Sequence, residues 1–340
     1  MNNMKNNGKL EFFVGTECGN GFVKSCSNVK EYGKVDIYLN TLKTVEKSDY
    51  EKSQLGSGYN KDEVYSIDGK YYIVGKKPNN DEDTLDNSDK SRYFSDKFKV
   101  ALLISIYRQI KDVANHSSYN TYVVTGLPTE HSEDEGLKEE IEKFYKKTHT
   151  INNSTIRISG LEAIAQGEAA FYSELYNNGE ESEDYMLETT PDIEGMEFNT
   201  LYIDLGHVTT DFRRIRDYSV VDGSQMYGMQ RTWQKLIKRA KEQNPGLAKH
   251  PALTLEEQLR KSGFIDIQKE TANVSKERDI LLKEYAQEII GKISQAFNDI
   301  YFDSIRFCGG GSILMKDYLL AEIKEKHKTN LRHIERYKFL

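Results

Sequence analysis

No stretch of this chain is apolar enough to lie in a bilayer, and no excess of positive charge suits it to nucleic acid. The longest largely apolar run is VALLISIY, residues 100–107, far short of the roughly 20 residues that a membrane-spanning helix needs. The formal net charge is −7, whereas nonspecific nucleic-acid binding requires a basic stripe that releases counterions. The three cysteines, Cys18, Cys26 and Cys308, are odd in number and none stands in a CxxC spacing, which reads as reduced thiols. The amino terminus, MNNMKNNGK, has no apolar core for export. These absences imply a cytoplasmic protein with no membrane partner and no direct nucleic-acid partner. None of the seven histidines has metal-ligand spacing such as HExxH. A Walker A pattern is missing, and no GxGxxG follows a strand, so P-loop and Rossmann nucleotide sites are unsupported.

What is present is a 340-residue chain, long enough for two domains, with only 37% hydrophobic residues. The first part reads as short strands: KLEFFVG and GFVKSCS flank a Gly19-Asn20-Gly21 turn, and KVDIYLN follows. VYSIDGKYYIVG (64–75) predicts a hairpin about Asp68-Gly69. The aperiodic stretch 76–92 reads as a surface loop; Leu85 falls on a ligand position of any calcium loop there. A helix is predicted from Ser95 to Val113 by the spacing of Phe98, Leu102, Ile106 and Ile110. TYVVTGLP (121–128) reads as a buried strand, GLKEEIEKFYKK as an exposed helix, INNSTIRIS as strand, and 161–176 as helix. The acidic stretch 177–198 reads as a solvated linker.

The second half repeats the opening. NTLYIDLGHVTTDFRRI (199–215) is a strand, a glycine turn and a strand. Helices are expected at 224–241, 254–261 and 275–298, and SIRFCGGGSILMKDYLLAEI (304–323) predicts a strand, three intervening glycines and a helix. Strand–turn–strand twice, then a glycine-rich strand–helix junction, is the skeleton of a two-lobed α/β protein.

Each glycine turn has two readings. In ECGNGFVK, Gly19 and Gly21 permit positive φ and let backbone N–H groups approach an anion, with Lys24 adding a charge; Asn20-Gly21 is equally the favoured tip of a plain hairpin. In DLGHVTTDF, Asp204 ends a strand where it can hold Mg²⁺ through water, and the Thr209 and Thr210 hydroxyls can donate to phosphate; another hairpin fits as well. His207 reads as an exposed turn residue. Gly309, Gly310, Gly311 and Ser312 precede or open a helix whose N-terminus suits an anion, or form a simple cap.

Taken in order, ECGNGFVK, DLGHVTTD and RFCGGGSILM resemble the first phosphate, second phosphate and adenosine motifs of the actin, heat-shock chaperone and sugar kinase superfamily. YVVTGLP and RYFSDKFKVALLISI look like its plasmid-segregation, ParM-like branch. The resemblance spans roughly residues 10–325 and implies a two-lobed actin-like ATPase fold: a duplicated mixed sheet flanked by helices, with nucleotide in the interlobe cleft. Residues 1–165 would be lobe I, with the chain returning to it at about 323–340, and 166–322 lobe II. The match implies that Gly19, Asn20, Gly21 and Lys24 cradle phosphates from one lobe and Gly206, Thr209 and Thr210 close from the other. Glu17 and Asp204 would flank hydrated Mg²⁺. Gly309, Gly310, Gly311 and Ser312 would lie by adenosine of ATP (or GTP), with Leu314 against the base. Gln166 would orient the attacking water.

Glu17 stands where the family motif carries aspartate. One more methylene moves the carboxylate by ~1.5 Å, and Mg²⁺ tolerates distortion poorly, so slow hydrolysis is expected. The resemblance further implies self-association into polymers and a DNA-binding adaptor that links them to a plasmid centromere. A sugar-type kinase is the alternative on the same scaffold. A heat-shock chaperone needs a peptide-binding domain after the ATPase, and about thirty residues remain after CGGGS.

Overall fold

The structure, a computed structural model, describes residues 5–6, 9–30, 34–57, 59–60, 63–75, 89–112, 118–177, 180–181, 198–297, 300–327 and 332–340. Most of the loop at 76–92, most of the acidic stretch 177–198, and Val113 lie outside the described residues. The chain forms two compact units. One comprises Met1–Leu127 and His131–Ala165, the other Pro128–Glu130 and Gln166–Leu340.

The first unit is built on a ten-stranded mixed sheet. At its centre Lys9–Cys18, Ser118–Leu127 and Ser154–Ala165 run parallel, while Phe22–Ser27 and Asp36–Leu39 add antiparallel at one side. The helix Asp96–Ile110 packs on the first two strands of the chain's opening hairpin. It starts at Ser95, whose hydroxyl accepts the Phe98 N–H at 3.1 Å, an N-cap that satisfies one orphan donor. It buries Phe98, Leu102, Ile106 and Ile110, the residues its period predicted. The Asp68-Gly69 hairpin forms, and both turn residues have positive φ (48° and 85°), the geometry a type I′ turn demands.

The second unit has a five-stranded sheet in the order Ser219–Tyr227, Thr209–Arg216, Asn199–Leu205, Ser304–Cys308, Tyr337–Phe339. The first two joins are antiparallel and the last two parallel. This repeats the order and orientation of five strands of the first sheet, from its edge strand Asp36–Leu39 through to Ser154–Ala165. Strand alternation divides the residues of Asn199–Leu205 between two cores. Leu201, Ile203 and Leu205 join the core that includes residues of the helices Ser275–Ala296 and Gly310–Lys326. Tyr202 faces Phe171 and Leu175 of the helix Gln166–Leu175.

Three expectations change. Residues 161–165 are strand, not helix: Leu161 to Ala165 pair in parallel with Val123 to Leu127, so the helix begins only at Gln166. Local helix propensity there yields to sheet pairing. Residues 224–227 are also strand, because Asp217 and Tyr218 both take positive φ (46° and 63°) and turn the chain into a third antiparallel strand; the helix runs from Gln230 to Gln243. Finally, 323–340 does not return to the first unit. Tyr337–Phe339 pairs with Ile305–Phe307, in the place that Ser154–Ala165 fills in the first sheet.

Candidate functional site

The first glycine turn joins Cys18 to Val23 at the end of the opening hairpin. Neither Gly19 nor Gly21 has positive φ, contrary to expectation. Gly19 is required by space instead: a Cβ there would lie 2.9 Å from the Phe22 carbonyl oxygen and 3.3 Å from Glu17 Oε1. Asn40 holds the turn from just past the neighbouring strand Asp36–Leu39, its side-chain amide donating to the Gly19 carbonyl and its backbone N–H to Gly21 O at 3.0 Å. Arg92, itself buried, donates to Cys18 O at 2.9 Å. Asn20 Oδ1 is buried with no donor to accept from, a cost that a ligand or water would remove. Glu17 and Lys24 are cross-strand neighbours and form an ion pair of 2.8 Å. Burial pushes the Cys18 thiol up to about 12, so it stays protonated. All three cysteines are free.

In the second unit the structure brings two turns together. Gly206 N donates to Thr209 O at 3.0 Å, and a Gly206 Cβ would stand 2.7 Å from that same oxygen. Gly228 lies flat on this turn; its Cβ would meet His207 O at 2.6 Å and Thr209 N at 2.7 Å. Gly228 N and Gln230 N donate to Val208 O and His207 O at 2.6 and 2.7 Å. From the adjacent parallel strand, Gly309 enters the left-handed region (φ 80°), and a Cβ on it would fall 2.0 Å from Asp204 Oδ1. Only glycine leaves room for that carboxylate. Gly311 sits against Leu205, with Cβ-to-oxygen space of 2.6 Å, while Gly310 is exposed with nothing nearby.

Several side chains lie away from the roles their motifs predict. Thr210 is fully buried, with its hydroxyl 2.5 Å from that of Tyr285, and has no path to a phosphate. Ser312 is buried and donates to Gly309 O at 2.7 Å, within the first turn of its own helix. Leu314 packs toward the core, whereas Ile313 is 80% exposed. Helical spacing decides this: 315 and 319 face the sheet, so 314 leans inward and 313 outward. Only Gly309 lies between strand and helix; Gly310 and Gly311 are the first helical residues. His207 is not an exposed turn residue. Its Nδ1 lies 3.1 Å from Arg260 Nη2 and 3.4 Å from Glu256 Oε1, so the helix Ala252–Ser262 holds the second turn from outside.

Asp211, the last residue of DLGHVTTD, is 1% exposed. It accepts the Thr129 N–H and the Thr209 hydroxyl, each at 2.8 Å. Thr209 therefore spends its hydroxyl on Asp211. Burial raises the Asp211 carboxyl above its ordinary 3.8, against these hydrogen bonds and the charge of Arg213. A raised acid stabilises the fold while protonated. Its contribution is complete below the unfolded value and lost as pH rises through the elevated one. Asp211→Asn keeps the shape without the charge. Urea titrations upward from pH 4 should show the wild type losing stability relative to this variant; a difference independent of pH would contradict the assignment.

Gln166 opens the helix Gln166–Leu175 directly after the strand that ends at Ala165. Gly167 seats that helix against Arg213, whose Cβ is 2.8 Å from where a Gly167 Cβ would be. Among the described residues no three His, Cys, Asp or Glu side chains cluster as a metal cage.

Residues 15–168 match the family described as actin like proteins, N terminal domain. They form an actin-like domain, and the whole chain has the actin-like fold. A 15-stranded ParM filament from Clostridium botulinum is similar over 97% of this chain and 94% of its own, at 19% identity and a TM-score of 0.73. The actin-like protein Alp7A aligns over 97% and 92%, at 14% identity and 0.69. The archaeal actin homolog Ta0583, in complex with ADP, aligns over 91% and 90%, at 18% and 0.62. No curated protein matches in sequence. In this chain the duplicated sheet puts the two glycine hairpins at equivalent places, between the first and second strands of each copy. Sequence reasoning missed Gly228, whose signal is a lone glycine just before a helix, and Asp211, whose signal is an acid beside Phe212 within a predicted strand.

Proposed function

We propose that this chain is a nucleotide-dependent, filament-forming ATPase of the ParM-like kind. One observation supports this most: two equivalent hairpin turns, one per unit, each keep a glycine where any Cβ would strike backbone. Such turns leave main-chain N–H groups accessible to phosphate oxygens. In this reading Gly19, Asn20, Gly21 and Lys24 hold the phosphates of ATP or GTP together with Gly206 and the main chain at Thr209. Gly309 and Gly310 lie beside adenosine, and Ile313 offers the apolar contact that Leu314 cannot. Glu17 and Asp204 are the carboxylates for a hydrated Mg²⁺, and the unmatched Asn20 Oδ1 suits the proton of a metal-bound water. A bound Mg²⁺ offsets negative charge on the terminal phosphates. Lys24 exchanges Glu17 for phosphate, and Gln166 orients the attacking water by hydrogen bonding. Because Glu17 holds Lys24 at 2.8 Å, turnover is slow.

Nucleotide state biases the arrangement of the units, and head-to-tail contacts that do not close produce an open polymer. The polymer moves plasmid DNA in the cytoplasm through a DNA-binding adaptor. Light scattering of the purified chain with Mg-ATP, Mg-ADP and a nonhydrolysable analogue tests this. Assembly is expected with ATP and the analogue and should reverse as ATP is consumed. ATP loss that appears only when a sugar-type substrate is added, without assembly, would favour a small-molecule kinase instead.

A further inference from the structure

The helix Gln230–Gln243 runs against the charge of the whole chain. Residues 230–250 contain Arg231, Lys235, Lys238, Arg239, Lys241 and Lys249 against Glu242 alone, within a protein of net −7. Some of these cations are answered locally. Arg239 pairs with Glu242 at 3.1 Å, Lys249 with Glu270 at 3.0 Å, and Arg231 lies over the Tyr227 ring. Lys235, Lys238 and Lys241 make no ion pair among the described residues. Gln234, Ile237, Lys238, Lys241 and Glu242 fall on one side of this helix. With Ala252 of the next helix they line an open groove of ≈ 410 Å³. Its floor includes the apolar Ile237 and Ala252, and two unanswered ammonium groups stand on it. A phosphate backbone would leave that apolar floor uncovered and would meet Glu242. An acidic segment carrying an apolar side chain satisfies both parts.

The same chain carries such a segment. Residues 180–197 include Glu180, Glu181, Glu183, Asp184, Glu188, Asp192, Glu194 and Glu197 with no lysine or arginine, and Tyr185-Met186-Leu187 stands between the carboxylates of 183–184 and 188. We infer that the lysine groove of one copy receives the 183–188 stretch of a second copy. The inference rests on the assembly reading above and names a contact for it. Groove and stretch are different parts of the sequence, so the contact is heterologous, the kind that extends a filament where its rotation does not close a ring. Opposite charge selects the partner and its register, and like charge in the same place repels.

Charge reversal tests this. One variant carries Lys238→Glu and Lys241→Glu; the other carries Glu183→Lys, Asp184→Lys and Glu188→Lys. Each is first shown to bind Mg-ATP like the wild type, since none of these residues is placed in the nucleotide site. In pelleting assays with Mg-ATP, each variant alone should need about tenfold more protein to assemble. An equimolar mixture should assemble near the wild-type concentration, because every contact in an alternating polymer is again between opposite charges. Assembly of either variant alone at the wild-type concentration would overturn this contact and leave the function intact. A mixture that fails to recover would overturn it too, placing the stretch on its own chain or elsewhere. A wild type that stays monomeric would overturn both readings together.

Discussion

Gln166→Ala should slow ATP turnover by about a hundredfold while leaving nucleotide affinity within about twofold, as expected for a group that acts in the transition state rather than in binding. The side chain cannot serve as a base, because an amide has no proton to gain near neutrality; it can only fix a water by accepting and donating hydrogen bonds. Its place supports the role. The strand Ser154–Ala165 ends one residue before it, and the close seat of Gly167 on Arg213 prevents the helix start from sliding. Single-turnover and equilibrium binding measurements on the same variant separate the two effects. Equal loss of rate and affinity would make Gln166 a structural residue. The same assay reads Glu17→Asp. The shorter acid cannot span to Lys24 as Glu17 does at 2.8 Å, so the cation is released toward phosphate and turnover should rise about tenfold. Unchanged turnover would contradict that role of Glu17.

The architecture was legible because its signals are local and repeated. Apolar strands beside glycine turns mark both hairpins, and Ser95 with a 3.6-residue period marks the helix Asp96–Ile110. The errors lie where tertiary pairing overrides local preference. Leu161-Glu162-Ala163-Ile164-Ala165 has the composition of a helix, yet it fills the sheet beside Val123. The strand Ser219–Tyr227 depends on positive φ at Asp217 and Tyr218, and tyrosine is a residue for which no pattern announces that conformation. Within the candidate site, the glycines were readable as a class, but their reasons were not. Gly19 and Gly206 answer to neighbouring carbonyls, and Gly309 alone answers to φ and to a carboxylate. The hydroxyls misled. Thr210 and Ser312 look available in sequence, but each is buried against its own unit, bonded to Tyr285 and to Gly309. Such allocation is decided by which face of a strand or helix points inward, and a motif does not encode it.

If both glycine bends serve one nucleotide, a calorimetric titration of Mg-ATP into the wild type, Gly19→Val and Gly206→Val measures that directly. Each valine would press on a backbone oxygen, at 2.9 Å from Phe22 O and 2.7 Å from Thr209 O respectively, and would reshape the bend rather than the core. Circular dichroism and thermal melting identify a variant that has failed to fold. With a shared ligand, the wild type should bind one nucleotide per chain, and either substitution alone should weaken binding by about a hundredfold or more, since each bend supplies several charge-assisted hydrogen bonds. Two nucleotides per wild-type chain, or a folded variant that binds as tightly as the wild type, would contradict it.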